Sequence, residues 1–586
     1  MPTEVASQSA PAEEQHDIEK SGIAKETLTP GDETLKPEGL EDPNKQDGIK
    51  QVQALTAVWS KKALWSTFIL IWLVCFVMAM ISNIQYALAP YITSSFSQHG
   101  LLSTINIASR VIAGVAVLAI AKLIDIRGRL EGFVGAIFLI IIGMIIKAVS
   151  QNVETYAAGE VFFWLGQSAV NFTLDVFVAD ITTLRNRMII FTLNSTPFII
   201  TTFAGPPIAE LFYYKSHFRW AFGSFCFILA GFSLPVIGIM WFYQRKAEKL
   251  GLIREKSGRT TAESLRHYFV QFDVVGMVLI SAGFTMLTLP FSLVTLAGGW
   301  QSPTIICLII FGFVLLVLFG IWERYFATVM FFPFELLRDR TILGASLTYF
   351  GIFLSTFIWN AYYGSYLQVV HNLSITVANY VLNCYSLTSY FTGPFIALFI
   401  RHTGYVKYPA YIGIPIYVLG TALIVYFRHP DTNVGYLAMC QVLVGFGVEL
   451  LQVMSHLALM AKAGPSNVAV AMAIYGLFGS IGASTSYAIA GGMWTNIFPY
   501  NLEAFLPDEY KGQAHEIYGD ITKQMQFPIG HPVRDAVIAA YADVARKMVI
   551  VGACLIPLVI GAVAIWKNFN VKEMEGEEKQ EKGNVF

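Results

Sequence analysis

Apolar runs long enough to cross a bilayer recur along the whole chain, separated by short polar punctuation. Stretches such as Trp65 to Ala79 and Gly132 to Ile146 contain no charged residue. Each extends into a segment of about 20 residues, which at about 1.5 Å rise per residue crosses a hydrocarbon core of about 30 Å as one helix. The pattern predicts about 14 such spans, near 65–92, 101–121, 132–150, 156–180, 188–208, 219–243, 273–295, 303–322, 342–367, 374–400, 408–427, 434–461, 467–492 and 548–567. The fold class expected is an all-α integral membrane protein.

The short loops give the orientation, because Lys and Arg are retained on the cytosolic side. Loops after even-numbered spans hold Lys122, Arg127 and Arg129, then Arg185 and Arg187, then a cluster running from Arg245 to Arg266. The alternation continues with Arg324, Arg338 and Arg340, with Arg401 and Lys407, and with Lys462, whereas the opposite loops carry few cations until the last one. Both termini are therefore expected in the cytosol. A miscount of one span would put basic loops outside, so the alternation supports the count independently of hydropathy.

Composition narrows the function. Hydrophobic residues make up 55% of the 586, charged residues only 13%, and the mean hydropathy is +0.56, where a soluble domain devotes about a quarter of its residues to charge. A net charge of −1 offers no basic surface to displace phosphate counterions, which argues against a nucleic-acid partner. The six cysteines are scattered singly through apolar segments, so neither a zinc site nor a disulfide framework is indicated, and no bound metal or cofactor is expected. No Walker loop, GxSxG or HExxH occurs, which disfavours an enzyme and an ATP-driven pump.

Residues 1–62 are polar, rich in Pro, Gly and Glu, and lack the apolar core of a secretory signal; they read as a disordered cytosolic tail. The charged stretch 568–586 reads as a second, short cytosolic tail. A segment at about 494–546, mixed in charge and rich in Tyr, Phe and Pro, is expected outside as a long loop. It reads as a solvated hairpin or as a lid or capture surface, with Ala514 to Gln526 and Val533 to Ala545 as candidate short amphipathic helices. Asn372, Leu373 and Ser374 form a glycosylation sequon in the external loop after span nine.

Between spans two and three, the run from Ala121 to Arg129 reads AKLIDIRGR. It resembles the cytosolic signature loop of the major facilitator superfamily, G-x-x-x-D-R-x-G-R, with Ala121 for the first Gly, Ile126 for the Arg after Asp125, and Gly128 and Arg129 in place. Asp180 with Arg185 and Arg187 resembles the companion cluster at the end of span four; together the two clusters are candidates for a gating latch. Gly205 and Pro206 in span five are similar to a helix-bending segment of antiporters in that superfamily. With the runs from Val153 to Gly159 and from Asp175 to Arg187, these features resemble the fungal siderophore-iron transporter family. The resemblance implies two six-helix bundles, 63–245 and 341–567, around an insert at 246–340 that carries two extra helices. It also implies proton-coupled import of ferric siderophores by alternating access at the plasma membrane or in endosomal vesicles.

Ionisable groups inside a bilayer are costly unless they face a cavity or a partner, and helical phase gathers those present here. Glu160, Gln167, Asn171 and Asp175 in span four are spaced 7, 4 and 4 and fall within about 80° of arc. Gln441, Glu449, Gln452 and His456 in span twelve, and Tyr349, Thr356, Asn360 and Tyr363 in span nine, form similar stripes, and span one adds Asn83, Gln85 and Tyr86. In the superfamily plan these spans are innermost. The stripes therefore predict a cavity lined by Gln85, Tyr86, Gln167, Asn171, Tyr349, Asn360, Tyr363 and Gln452, with Asp175, Glu449 and Glu160 as proton-coupling candidates. A ferric chelate brings its own iron ligands, so flat aromatic and amide surfaces suffice to hold it. Two further readings use the same residues: a proton antiporter exporting glutathione, a drug or a metabolite, and a transporter-like sensor.

Overall fold

A computed structural model describes residues 61–573 apart from 97–101, 183, 250–262, 264–265, 267–268, 295–296, 329–333 and 465–466. The expected tails thus lie almost wholly outside the described residues. So do the side chains of a few helix-end residues, Asp125 and Arg185 among them.

A first group of helices comprises α1 (Lys61–Ser95), α2 (Leu102–Arg127), α3 (Arg129–Val149), α4 (Val153–Ile181), α5 (Leu184–Ser195), α6 (Pro197–Lys215) and α7 (Phe218–Lys249). Next come α8 (Val274–Thr288), the short α9 (Pro290–Leu293), α10 (Pro303–Ile321) and the single turn α11 (Phe334–Leu337). A second group holds α12 (Arg340–Asn360), α13 (Tyr363–His371), α14 (Ile375–Thr403), α15 (Lys407–Phe427), α16 (Val434–Ala463) and α17 (Val468–Phe505). It is completed by α18 (Ala514–Gly519), α19 (Ile521–Gln526), α20 (Pro532–Cys554) and α21 (Ile556–Ile565).

Twelve stretches of the described residues are long and apolar enough to cross a membrane. The two remaining predicted spans coincide with α8, which has 15 residues, and with α14, which has 29 but is diluted by Asn379, Asn383, Ser386, Thr388 and Thr392. α10 is the most apolar of the twelve and buries only 11% of its window inside the protein, as expected of a surface solvated by lipid rather than water.

Within the first group α3 packs on α4 and α7, α1 on α6 and α7, and α2 on α4; in the second, α12 packs on α16, α17, α20 and α21, and α14 and α15 pack on α16. The groups meet where α2 lies along α17 and where α5 and α6 lie along α14, while α8 rests on α2 and α9 on α17. Small residues set these approaches. A Cβ added at Gly143 would lie 2.5 Å from the Phe163 backbone nitrogen, so α3 and α4 can touch there only through glycine. Gly143→Val is therefore expected to destabilise the bundle by about 1–3 kcal/mol through overpacking, seen as a lowered melting temperature in detergent.

The segment expected as a long external loop is shorter than its sequence suggests. Helix α17 runs on to Phe505 and α20 already begins at Pro532, leaving 506–531 as the connection. Hydropathy falls beyond residue 492 because Asn496, Pro499, Asn501 and Glu503 enter. One face nevertheless stays apolar and buried through Trp494, Phe498 and Leu502, and it is this face that holds the helix.

The connection is a packed cap. The guanidinium of Arg534 is fully buried and donates from Nη1 to the Gln524 carbonyl (2.6 Å) and from Nη2 to the Val369 carbonyl (2.7 Å). Gln524 Nε2 in turn donates to the Ile517 carbonyl (2.7 Å), and Tyr541 donates to Gln524 Oε1 (2.9 Å). The Ile521 backbone N–H reaches Ser94 Oγ at the end of α1 (3.3 Å). Beneath the cap Tyr362 stacks on Trp494, with ring centroids 4.1 Å apart, and shares a hydrogen bond with Ser103 (2.7 Å), while Tyr91 donates to Gln368. These contacts tie α1 and α2 to the second group and close this capped end of the molecule.

Candidate functional site

Between the two groups lies a cavity of about 620 Å³. The span-four stripe faces it as its phase requires: Glu160, Gln167, Asn171 and Asp175 all line it, as do Glu449, Gln452 and His456 from α16. Gln85 and Tyr86 contribute from α1, Tyr349 and Asn360 from α12, and Asn383, Tyr385 and Tyr390 from α14.

Tyr363 does not line the cavity. The helix of span nine breaks at Ala361 and Tyr362, so Tyr363 opens a new helix, α13, and the phase counted from Tyr349 no longer applies. Its ring instead meets the buried guanidinium of Arg428, 4.1 Å from the ring centroid, with Trp359 and Tyr366 on the other sides. Thr356, in the same stripe, shares a hydrogen bond with Tyr417 (3.2 Å). Asn360 remains in the cavity wall at the break, its Oδ1 buried and without a hydrogen-bond partner.

Glu160 is engaged by a residue that sequence reasoning missed. Lys147, fully buried near the end of α3, places Nζ 2.5 Å from Glu160 Oε2 and donates to Gln85 Oε1 (2.6 Å). Gln85 Nε2 and Trp164 Nε1 both donate to Glu160 Oε1 at 2.6 Å. The rings of Phe163 and Phe222 stand 4.2 and 4.7 Å from the ammonium. Asp175 and Glu449, by contrast, have no ion-pair partner among the described residues. Glu449 lies against the bare backbone of Gly393, where an added Cβ would come 2.8 Å from Oε1.

A second missed cation stands in the wall. Arg110 of α2 donates from Nη2 to the Tyr86 hydroxyl (2.8 Å), and its guanidinium lies 3.6 Å over the Trp164 ring. Arg110 stands alone in an apolar run and Lys147 ends one, and that isolation is the sequence signal that could have flagged them; Arg428 opens the polar stretch 428–433, so nothing local marks it.

At the end opposite the cap, Gly128 takes φ 111°, a left-handed conformation that only glycine adopts freely, and so turns α2 into α3. The turn carries Arg129 to Asp180, with Nε donating to Oδ2 (2.9 Å) and Nη1 to the Ile124 carbonyl (2.8 Å). Arg187 is fully buried and donates to the Ala179 carbonyl (3.3 Å). An aromatic ladder crosses between the groups here: Phe191 on His456 at 5.4 Å, His456 on Tyr475 at 5.0 Å, and Tyr475 on Tyr349 at 4.1 Å. Gly205 and Pro206 sit within an unbroken α6; an added Cβ at Gly205 would come 2.6 Å from Asn83, so this glycine brings α6 against α1. Asn372 is exposed at the end of α13, and the Ser374 hydroxyl of its sequon accepts from the Val377 N–H at the start of α14.

Comparison with known proteins agrees with this architecture. Residues 67–326 match the model of the Major Facilitator Superfamily. Over 544 residues, 92% of this chain and 94% of the relative, the sequence is 46% identical to "MFS siderochrome iron transporter 1" of Ajellomyces capsulatus. The chain belongs to the fungal siderophore-iron transporter family of the major facilitator superfamily. Another relative of this siderophore-iron transporter family member is "Siderophore iron transporter mirB" of Emericella nidulans, 37% identical over 100% of this chain and 97% of the relative. Among solved structures, the peptide transporter POT in complex with sulfate superposes with a TM-score of 0.53 at 15% identity, covering 86% of this chain and 96% of that one; the likeness is one of fold. In this member of the siderophore-iron transporter family, groups of three or more His, Cys, Asp or Glu that could hold a metal ion are absent among the described residues.

Proposed function

We propose that this protein imports ferric siderophores, coupling their uptake to protons by alternating access. The observation that carries the reading is the cavity. Its volume of about 620 Å³ and its wall of amides, hydroxyls and aromatic rings suit a bulky chelate that already satisfies its iron, and the relatives named above are siderochrome and siderophore iron transporters.

Asp175 and Glu449 are the proton carriers in this proposal. They lie on α4 and α16, corresponding spans of the two groups, and face the cavity without a basic partner among the described residues. Withdrawal from water penalises the charged form of a carboxyl, which is what lets such a group load and release a proton in the physiological range. Glu160, held by Lys147, is assigned to keeping α1, α3 and α4 in register. The Arg129–Asp180 pair, with Asp125, Gly128, Arg185 and Arg187, forms the latch on the basic side, and Gly205 with Pro206 sets the approach of α6 to α1. On this reading the capped end is extracellular, both termini are cytosolic, Asn372 is open to glycosylation, and the membrane is the plasma membrane or an endosomal one.

Radioiron on a panel of hydroxamate and catecholate chelates, offered to yeast cells lacking their own siderophore carriers, tests the reading. Accumulation of at least one chelate that a protonophore abolishes is the expected outcome. Surface expression without uptake of any chelate overturns import and points to proton-driven export on the same scaffold.

A further inference from the structure

Arg110 is the polar group in the cavity that the proposed transport cycle has not used. A guanidinium carries five N–H donors in a fixed fork. Here one is spent on the Tyr86 hydroxyl and the Tyr487 hydroxyl is a second partner, while the Nε group is buried with no hydrogen-bond partner. No carboxylate pairs with Arg110 among the described residues, and the nearby Glu160 is already answered by Lys147. An arginine at membrane depth is costly unless something compensates it. The face of Trp164 at 3.6 Å supplies part of that compensation. The donors that the Tyr86 and Tyr487 hydroxyls leave over face whatever occupies the cavity.

The opposite wall adds a second feature of the same sign. One turn before Arg110, Ile107 belongs to a small cluster with Tyr487 and Ala488 against which Ala361, at the break between α12 and α13, is packed, and one turn earlier again Ser103 bonds Tyr362. Gly364 and Ser365, in the first turn of the nine-residue α13, line the cavity. The first turn of a helix carries the positive end of the helix dipole. Half-helices broken at membrane depth hold anionic groups in this way. The arginine and the helix start thus make the region near the cap attractive to anionic oxygen, whereas Asp175 and Glu449 make the opposite side attractive to protons.

We propose that Arg110, supported by Tyr86 and the start of α13, receives an iron-bound oxygen of the chelate and thereby distinguishes the iron-loaded form from the empty one. In a ferric hydroxamate or catecholate the ligating oxygen has lost its proton to make the metal bond, so it presents only acceptor capacity to the guanidinium. In the metal-free chelator the same oxygen keeps its proton, carries less negative charge and is the weaker acceptor for a donor-only guanidinium. This inference rests on the siderophore reading above and adds its selectivity.

The test takes a hydroxamate chelate that the wild type accumulates as radioiron and measures its inhibition by the gallium(III) complex and by the metal-free chelator. Gallium keeps the charge and the oxygen set of the ferric complex but is redox-inert. The wild type is expected to prefer the gallium complex strongly. In Arg110→Gln, KM for the ferric chelate is expected to rise about tenfold or more, the scale of one charge-assisted hydrogen bond, and the preference for the metal complex to fall by a similar factor. Arg110→Lys, which keeps the charge and loses the fork, is expected to fall between and serves if the glutamine variant does not reach the surface. Wild-type KM and wild-type preference in a surface-expressed variant overturn the role of Arg110 while leaving siderophore import intact. Absence of uptake by the wild type on every chelate overturns import and this inference together.

Discussion

Replacing Glu449 with Gln is expected to abolish uphill accumulation of iron while leaving exchange of labelled for unlabelled chelate across the membrane. The carboxyl sits on α16 between Gly393 and the cavity, on the helix that corresponds in order to α4 of the first group. The glutamine is nearly isosteric and keeps the packing against Gly393, so the substitution removes the titrating proton and little else. One charge moved through 100 mV supplies about 2.3 kcal/mol, and loss of that coupling lowers the attainable concentration ratio by about 50-fold. Steady-state accumulation at several external pH values, with exchange measured in parallel, separates the two effects. Accumulation should fall as external pH rises in the wild type and be flat in the variant. Asp175→Asn is expected to act similarly from α4. Unchanged, protonophore-sensitive accumulation in Glu449→Gln would remove Glu449 from the coupling role.

How far the sequence led depended on whether a feature is local. Apolar runs report lipid contact or core burial directly, so the long helices from α1 to α16 follow the predicted spans and α17 begins with one. Continuous helical phase placed Glu160, Gln167, Asn171 and Asp175 on one cavity wall. The same arithmetic failed at Tyr363, because two residues at the α12–α13 break reset the phase and turned the ring towards Arg428. It failed again beyond residue 492, where hydropathy falls but the face of Trp494, Phe498 and Leu502 is buried under the cap. Lys147 ended an apolar run that the eye reads as uncharged, and its partners Gln85 and Glu160 stand 62 and 13 positions away on other helices. Nothing local in a sequence announces such a pairing.

That pairing leads to the other large expected effect, on stability rather than on transport. Lys147→Met leaves Glu160 buried with only Gln85 and Trp164 as donors, and removing one member of a buried ion pair costs about 3–5 kcal/mol. The ammonium is also the group that fills the space ringed by Phe163, Phe222 and Tyr156, with centroids at 4.2, 4.7 and 5.5 Å. The flexible methionine can occupy that space, so the loss isolates the charge from the packing. The double substitution Lys147→Met with Glu160→Gln removes both charges and lets Gln85 pair amide to amide. It is expected to recover most of the loss, because replacing both members of a buried pair by neutral groups of similar volume is often neutral. Melting temperatures of the four proteins in one detergent complete the cycle. A single Lys147→Met variant as stable as the wild type would mean that Glu160 already holds its charge without the lysine, and Glu160 would then return as a candidate proton carrier beside Asp175 and Glu449.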